Sequence, residues 1–180
     1  MNAVLETPRL RLRELETSDL DFVAAMMGDA EVMRHYPKPL DRAEAAAWLD
    51  RQLARYASDG HGLWLVELRS SGEPIGQIGL IRQIVEGAPE REIGWLLHRP
   101  FWGHGYATEA AAAVRDLAFT TWDRPYVISL IRPVNAPSQA VARRIGMTPT
   151  RHVEFHGYEH VVWRVERTPL PDGNPDPGRG

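Results

Sequence analysis

Apolar and charged positions alternate at the start of the chain, where Leu10 and Leu12, with Leu15 just beyond, interleave with Arg9, Arg11 and Arg13 over residues 7–15. A period of two marks a half-buried strand. Ser18, Asp19, Leu20 and Asp21 then resemble a capping box with Asp in the usual Glu position, opening a helix to about Met27. Leu20, Val23 and Ala24 share one face of that helix, and Gly28-Asp29 ends it. Residues 29–40, with His35, Tyr36, Pro37 and Pro39, carry no period and read as irregular. A second helix starts at Asp41, with Glu44 three positions on to complete a cap. It places Ala45, Trp48, Leu49, Leu53 and Tyr56 at helical spacing before Ser58-Asp59-Gly60 closes it. Met26, Met27 and Trp48 read as core.

Strands follow at 63–68, 75–81 and 93–98, joined by Ser70-Ser71-Gly72-Glu73 and Glu86-Gly87-Ala88-Pro89, turns short enough for an antiparallel meander. After Gly105 a helix runs to about Thr121, with Ala110, Val114, Leu117, Ala118 and Thr121 toward the sheet. Residues 127–131 form a β-branched strand, and 135–145 a short helix closed by Gly146 as a left-handed cap. Two last strands, near 150–155 and 161–165, flank a turn at Gly157. This order predicts a mixed α/β (α+β) domain with one central sheet over residues 1–167. Residues 168–180, with four Pro and three Gly, read as a disordered extension.

Composition narrows the chemistry. The chain of 180 residues has no cysteine, which excludes disulfides, thiolate metal sites and a Cys nucleophile. Net charge is −3, Lys38 is the only lysine, and the arginines are scattered among acids, so nucleic acid is not the expected partner. No apolar run reaches the roughly 18–20 residues that cross a bilayer, and the opening residues lack a secretory pattern. A soluble cytoplasmic protein with no membrane partner is therefore expected. Oligomeric state is not legible, although a homodimer is compatible with the sequence. The pair His156 and His160 has i, i+4 spacing but falls on a turn containing Gly157, and HExxH is absent, so no metal is expected.

The segment 99–113, RPFWGHGYATEAAAA, is the strongest chemical signal. A strand leads through Pro100 into Trp102-Gly103-His104-Gly105-Tyr106-Ala107, and a helix begins at once. Small residues let backbone approach a ligand, and the free amides of a helix start favour an anion such as a phosphate. A tight turn without any ligand has the same local pattern. A Rossmann fingerprint fails because Thr108 holds the third small position and no acid lies over 126–129. A Walker loop fails because the sole lysine lies far away.

WGHGYATEA resembles motif A of the GNAT N-acetyltransferase superfamily, with Trp102 where Gln or Arg is usual, as in the branch of ribosomal-protein N-terminal (alanine) acetyltransferases. LETPRLRLREL, REIGWLLH and Asn135-Ala136-Pro137-Ser138 leading to Arg144-Ile145-Gly146-Met147 agree in order and spacing across about residues 5–166. The resemblance implies the acyl-CoA N-acyltransferase fold, a mostly antiparallel sheet splayed between strands four and five and flanked by helices. It also implies acetyl-CoA as co-substrate. Leu96 and Leu97 would offer backbone groups to the pantetheine arm, and Trp102, Gly103, His104, Gly105, Tyr106, Ala107 and Thr108 would cradle the pyrophosphate. Asn135 and Ser138 would lie beside the thioester, and Arg143 or Arg144 would meet the 3′-phosphate or simply be solvated.

Without cysteine, direct attack by an amine on the thioester is the expected route, with the Leu97 amide as an oxyanion donor. Glu92 alternates with Gly94 and Leu96 along the strand that meets the acyl carrier, which makes it a candidate base or holder of a water. A surface carboxylate pairing with Arg91 or a neighbouring strand is the bland alternative. Ser138 is the candidate acid for the leaving thiolate, or a helix cap. Tyr36, His156 and Tyr158 are candidates for the acceptor pocket, with Tyr36 equally able to cap the core. The acceptor is expected to be an amine on a protein N-terminus or a small molecule. A non-catalytic acyl-CoA-binding module is the rival reading, and Glu92 and Ser138 separate the two.

Overall fold

A computed structural model describes residues 3–168; of the tail expected to be disordered, only Thr168 falls among the described residues. Eight strands form one sheet in the order β1-β2-β3-β4-β5-β6-β8-β7. They are β1 (Ala3–Glu6), β2 (Leu10–Arg13), β3 (Leu63–Leu68), β4 (Pro74–Val85), β5 (Ala88–Leu97), β6 (Tyr126–Ile131), β7 (Thr148–Phe155) and β8 (Tyr158–Glu166). Four helices cover it: α1 (Leu20–Gly28), α2 (Arg42–Asp59), α3 (Tyr106–Thr120) and α4 (Ala136–Arg144).

Both faces of the sheet are covered, so its central strands are apolar on both sides. In β3, Trp64 and Val66 join the core beneath α3 and α4, while Leu65 joins the one beneath α1 and α2. α3 contributes Ala110, Val114 and Ala118, all fully buried and small enough to bring the helix close to the sheet. Thr121 is exposed and lies just past the helix end. The expected cap of α2 forms: Asp41 accepts from the Glu44 amide, Glu44 reaches back to the Asp41 amide, and left-handed Gly60 ends the helix.

Three elements differ from the sequence reading. A strand not expected from the sequence, β1, precedes Thr7, whose amide bonds the Leu10 carbonyl, and the expected opening strand is β2, so that the splay expected between strands four and five falls between β5 and β6. The box before α1 is built by Glu16 and Asp19 instead of Ser18 and Asp21, over a 3-10 turn. Asp19 also receives two bonds from Arg13, an anchor in β2 invisible to local pattern. β4 and β5 run on past their apolar stretches to a hairpin at Glu86-Gly87, with φ of 50° and 81°. The polar residues 82–83 and 90–91 hid that extension.

β5 and β6 are parallel and pair only at Glu92–Ile128, while every other neighbouring pair is antiparallel. Just past that bridge Ser129 Oγ donates to the Ile93 carbonyl at 2.7 Å. Beyond it the strands part, and the gap that opens is where the candidate site lies.

Candidate active site

The β4–β5 register decides which backbone groups face the gap. The His98 amide donates to the Ile75 carbonyl at 2.9 Å, so Gln77–Leu96 is a hydrogen-bonded pair and Gly76–Leu97 is not. Trp95 and Leu97 therefore turn their backbone groups toward the gap, and Leu96 turns its own toward β4. Leu96, expected from the resemblance to offer backbone to the pantetheine, pairs its backbone with Gln77 and borders both cavities, whereas Trp95, one ladder position away, presents its backbone to the gap. The Leu97 carbonyl accepts from Trp102 Nε1 at 2.8 Å, leaving its amide to the gap.

A cleft of about 960 Å³ runs from this gap to the start of α3 and is bordered by Trp102 through Thr108. Gly105 is the N-cap at φ 79° and has no side chain to satisfy the first turn, so the amides of Tyr106, Ala107 and Thr108 remain for a ligand. Gly103, at φ 81°, has open space where a Cβ would stand. Behind the loop, Arg9 donates to the His104 carbonyl at 3.0 Å and to Glu109 at 2.6 Å, and its guanidinium lies 4.6 Å from the Tyr106 ring. Thr7 Oγ1 binds the same carboxylate at 2.6 Å. Arg144 borders the cleft; Arg143 instead lies over the Trp163 ring at 5.0 Å.

A second cavity, about 430 Å³, occupies the other side of the gap. Residues from the stretch 29–40 and from the β7–β8 turn line it, and Tyr36, His156 and Tyr158, the candidates named for an acceptor pocket, are among them. The sheet and α2 supply the rest of the wall, α2 with Trp48 among its residues; this tryptophan is half-buried and borders the cavity, which corrects its reading as core alone. Met26 is buried among α1 and α2, and Met27, also buried, touches the cavity edge. The two cavities share His35, Tyr36, Trp95, Leu96, Asn135 and Ser138, and this ring is their junction.

Glu92 points into the second cavity. Gln83 Nε2 donates to one of its oxygens at 2.9 Å and the Leu130 amide to the other at 3.3 Å. Leu130 lies past the last β5–β6 bridge, so the carboxylate satisfies an amide that the splay leaves without a strand partner. Burial raises the Glu92 pKa above the ordinary carboxylate value, with the two bonds and Arg55 opposing it. Neither Arg91 nor another cation forms a salt bridge with it among the described residues. Tyr36 is 46% exposed and borders both cavities.

Asn135 caps α4 by accepting from the Ser138 amide at 3.2 Å, so Ser138 is not the cap. Its Oγ accepts from Trp95 Nε1 at 3.2 Å, and its own hydrogen has no acceptor among the described residues. A hydroxyl polarised by one donor and free to donate suits a departing thiolate. Gln83 and Trp95, which hold the two candidate groups, were not singled out in the sequence. Trp95 sat inside the recognised REIGWLLH strand, and only the splay could have marked it. Among the described residues no three His, Asp or Glu side chains gather as a metal site, and no helix is long and apolar enough to cross a membrane.

Residues 9–148 match the acetyltransferase (GNAT) domain family. The chain is 35% identical over 144 residues to the protein YkkB of Bacillus subtilis, covering 79% of this chain and 84% of that one. An acetyltransferase from Agrobacterium tumefaciens superposes with a TM-score of 0.80 at 34% identity, over 91% of this chain and 94% of its own. RimL, a ribosomal L7/L12 α-N-protein acetyltransferase solved with coenzyme A, shares the fold with a TM-score of 0.73 at 16% identity, over 92% and 98%.

Proposed function

This chain belongs to the acetyltransferase (GNAT) family, whose members are acetyl-CoA-dependent acyltransferases, and on that premise we propose that it acetylates a primary amine by direct attack in a ternary complex. One observation carries the proposal. A cleft with an uncapped helix start and a cavity with a half-buried carboxylate meet at a ring that includes Ser138.

The cleft fits coenzyme A. Its free amides and the open space over Gly103 suit the pyrophosphate, Arg144 suits the 3′-phosphate, and the gap-facing backbone of Trp95 suits the pantetheine amides. The acceptor enters the second cavity as an ammonium and loses a proton to Glu92, directly or through water. Nitrogen then attacks the thioester carbon, forming the C–N bond, with the Leu97 amide available to the oxyanion. As the C–S bond breaks, Ser138 protonates the thiolate and takes back the second nitrogen proton, leaving amide and free thiol. A protein or peptide N-terminus or a small amine both supply such a nucleophile.

Thiol release from acetyl-CoA, measured across amines and N-terminal peptides, tests this. Turnover on at least one amine, lost in Glu92→Gln, is expected. Tight binding of coenzyme A with no turnover on any amine would leave a binding module in place of the enzyme.

A further inference from the structure

The charge of the acceptor cavity is the wrong sign for a simple amine. Three guanidinium groups line it, from Arg51, Arg55 and Arg132, against the single carboxylate of Glu92. Its histidines add no compensating acid, and burial lowers the pKa of His35 and His160, which keeps both neutral at physiological pH. Among the described residues, ten other arginines have a carboxylate within 4.0 Å. None of the three lining the cavity has one among the described residues.

Two of the three are held in place without being neutralised. Arg132 follows β6, donates Nη1 to the His35 carbonyl at 3.2 Å and lies 4.5 Å from the Tyr158 ring centroid. Both partners border the cavity and neither carries charge, so the remaining N–H groups of a half-buried fork are left to a ligand. Arg55, on α2, donates Nη1 to the amide oxygen of Gln52 at 3.1 Å and also lacks a counter-ion. Its charge reaches Glu92 across the cavity. Gln77 completes the picture: it is 4% exposed and its buried side-chain oxygen has no partner. Gln77 borders the same cavity, and an N–H donor would satisfy that oxygen.

Resting on the acetyltransferase reading above, we infer that the acceptor is a small primary amine that carries its own anion close by, a carboxylate, phosphonate or phosphate. The amine lies by Glu92 and Gln77 and the anion between Arg132 and Arg55. Guanidinium forks bind such groups in paired, charge-assisted bonds. A cavity of about 430 Å³ encloses a molecule of amino-acid size. A polycation such as a polyamine would bring its second ammonium against the arginines and is disfavoured.

The test compares free amino acids, aminoalkylphosphonates, the matching amino-acid methyl esters and spermidine in the thiol-release assay. The free acids or phosphonates are expected to exceed their neutral counterparts at least tenfold in kcat/KM, and the arm that leads identifies the anion. Arg132→Gln and Arg55→Gln are expected to raise KM for the anionic acceptor at least tenfold, with Arg132→Lys recovering part of the loss. Binding of coenzyme A, followed by calorimetry, reports that each variant is folded. A second readout needs no turnover: the N-acetyl amino acid product raises the melting temperature of the CoA-loaded protein, and its methyl ester does not. Esters or spermidine acetylated as well as the acids would overturn the inference and leave the acetyltransferase reading standing. A preference unchanged in both arginine variants would overturn the assignment of the anion site. Release of no thiol from any amine, with coenzyme A bound, would bring down the acetyltransferase reading and this inference together.

Discussion

At the scale of single residues, Glu92 carries opposite consequences for activity and stability. Its pKa is raised in the folded protein, chiefly by burial. In the role of base proposed above Glu92 must be ionised, so kcat/KM should fall on acidification with a midpoint above the ordinary carboxylate range, and Glu92→Gln should abolish that limb. The variant should also lose on the order of 10²-fold or more in kcat/KM, as positioned bases do. For stability, the native state holds its proton to higher pH than the unfolded chain does. The contribution of Glu92 is therefore complete below the unfolded carboxylate pKa and is lost as pH rises through the folded value. Glu92→Gln should then melt higher than the parent near neutrality, with the difference closing toward pH 4, near the unfolded value. A variant that melts lower at pH 7 would show that the bonds to Gln83 and Leu130 outweigh the cost of the buried charge. The alternation that put Glu92 on the acyl-carrier strand was legible in the sequence. Its two donors were not, because Gln83 lies in the polar extension of β4 and Leu130 becomes relevant only where β6 leaves β5.

At the scale of elements, the start of α3 and the start of α4 contrast in a useful way. α4 is capped by Asn135 and so can present Ser138 without spending its hydroxyl. α3 has glycine at the cap and leaves its first amides bare. Both starts were visible in sequence, but which side chain capped and which remained free was a matter of geometry. Gly103 and Gly72 separate strain from function at the α3 loop. Both have positive φ, 81° and 73°, and both face open space, one over the cleft and one on the β3–β4 turn. Alanine at either should cost about 1–2 kcal/mol of stability from the left-handed backbone. Only Gly103→Ala places a methyl group where the pyrophosphate is proposed to approach, so it alone should weaken coenzyme A, by about tenfold or more in calorimetric Kd. Equal losses of affinity in the two variants would mean that the effect is global loosening and not contact.

At the scale of the whole molecule, the site depends on segments far apart in sequence. Element order and the small-residue turn into α3 were readable because each rests on local periods and on small residues in one turn. The acceptor wall from α2 and the arginines of the cavity carry no local signal, since any exposed helix and any loop display such residues. The same holds for the opening strand, where Arg9 looked like one polar position in an alternation. In the folded protein it reaches the loop from the back, bonding His104 and Glu109, more than 90 positions away. Its side chain is 48% exposed, so the ion pair itself contributes little, within about 1 kcal/mol. On the coenzyme reading proposed above, its contacts hold the loop in place before a ligand arrives, which would remove an ordering cost from binding. Arg9→Ala should therefore change the melting temperature of the free protein little, yet reduce the rise produced by saturating coenzyme A. A tenfold weaker Kd removes about 1.4 kcal/mol of ligand-linked stability at a fixed excess of ligand, roughly 3–6 °C for a chain of this length. If the free protein loses those degrees and the ligand-induced rise is unchanged, Arg9 serves only to join β2 to α3. If the rise shrinks while the free protein holds, the opening strand is part of the coenzyme site although it touches none of the ligand.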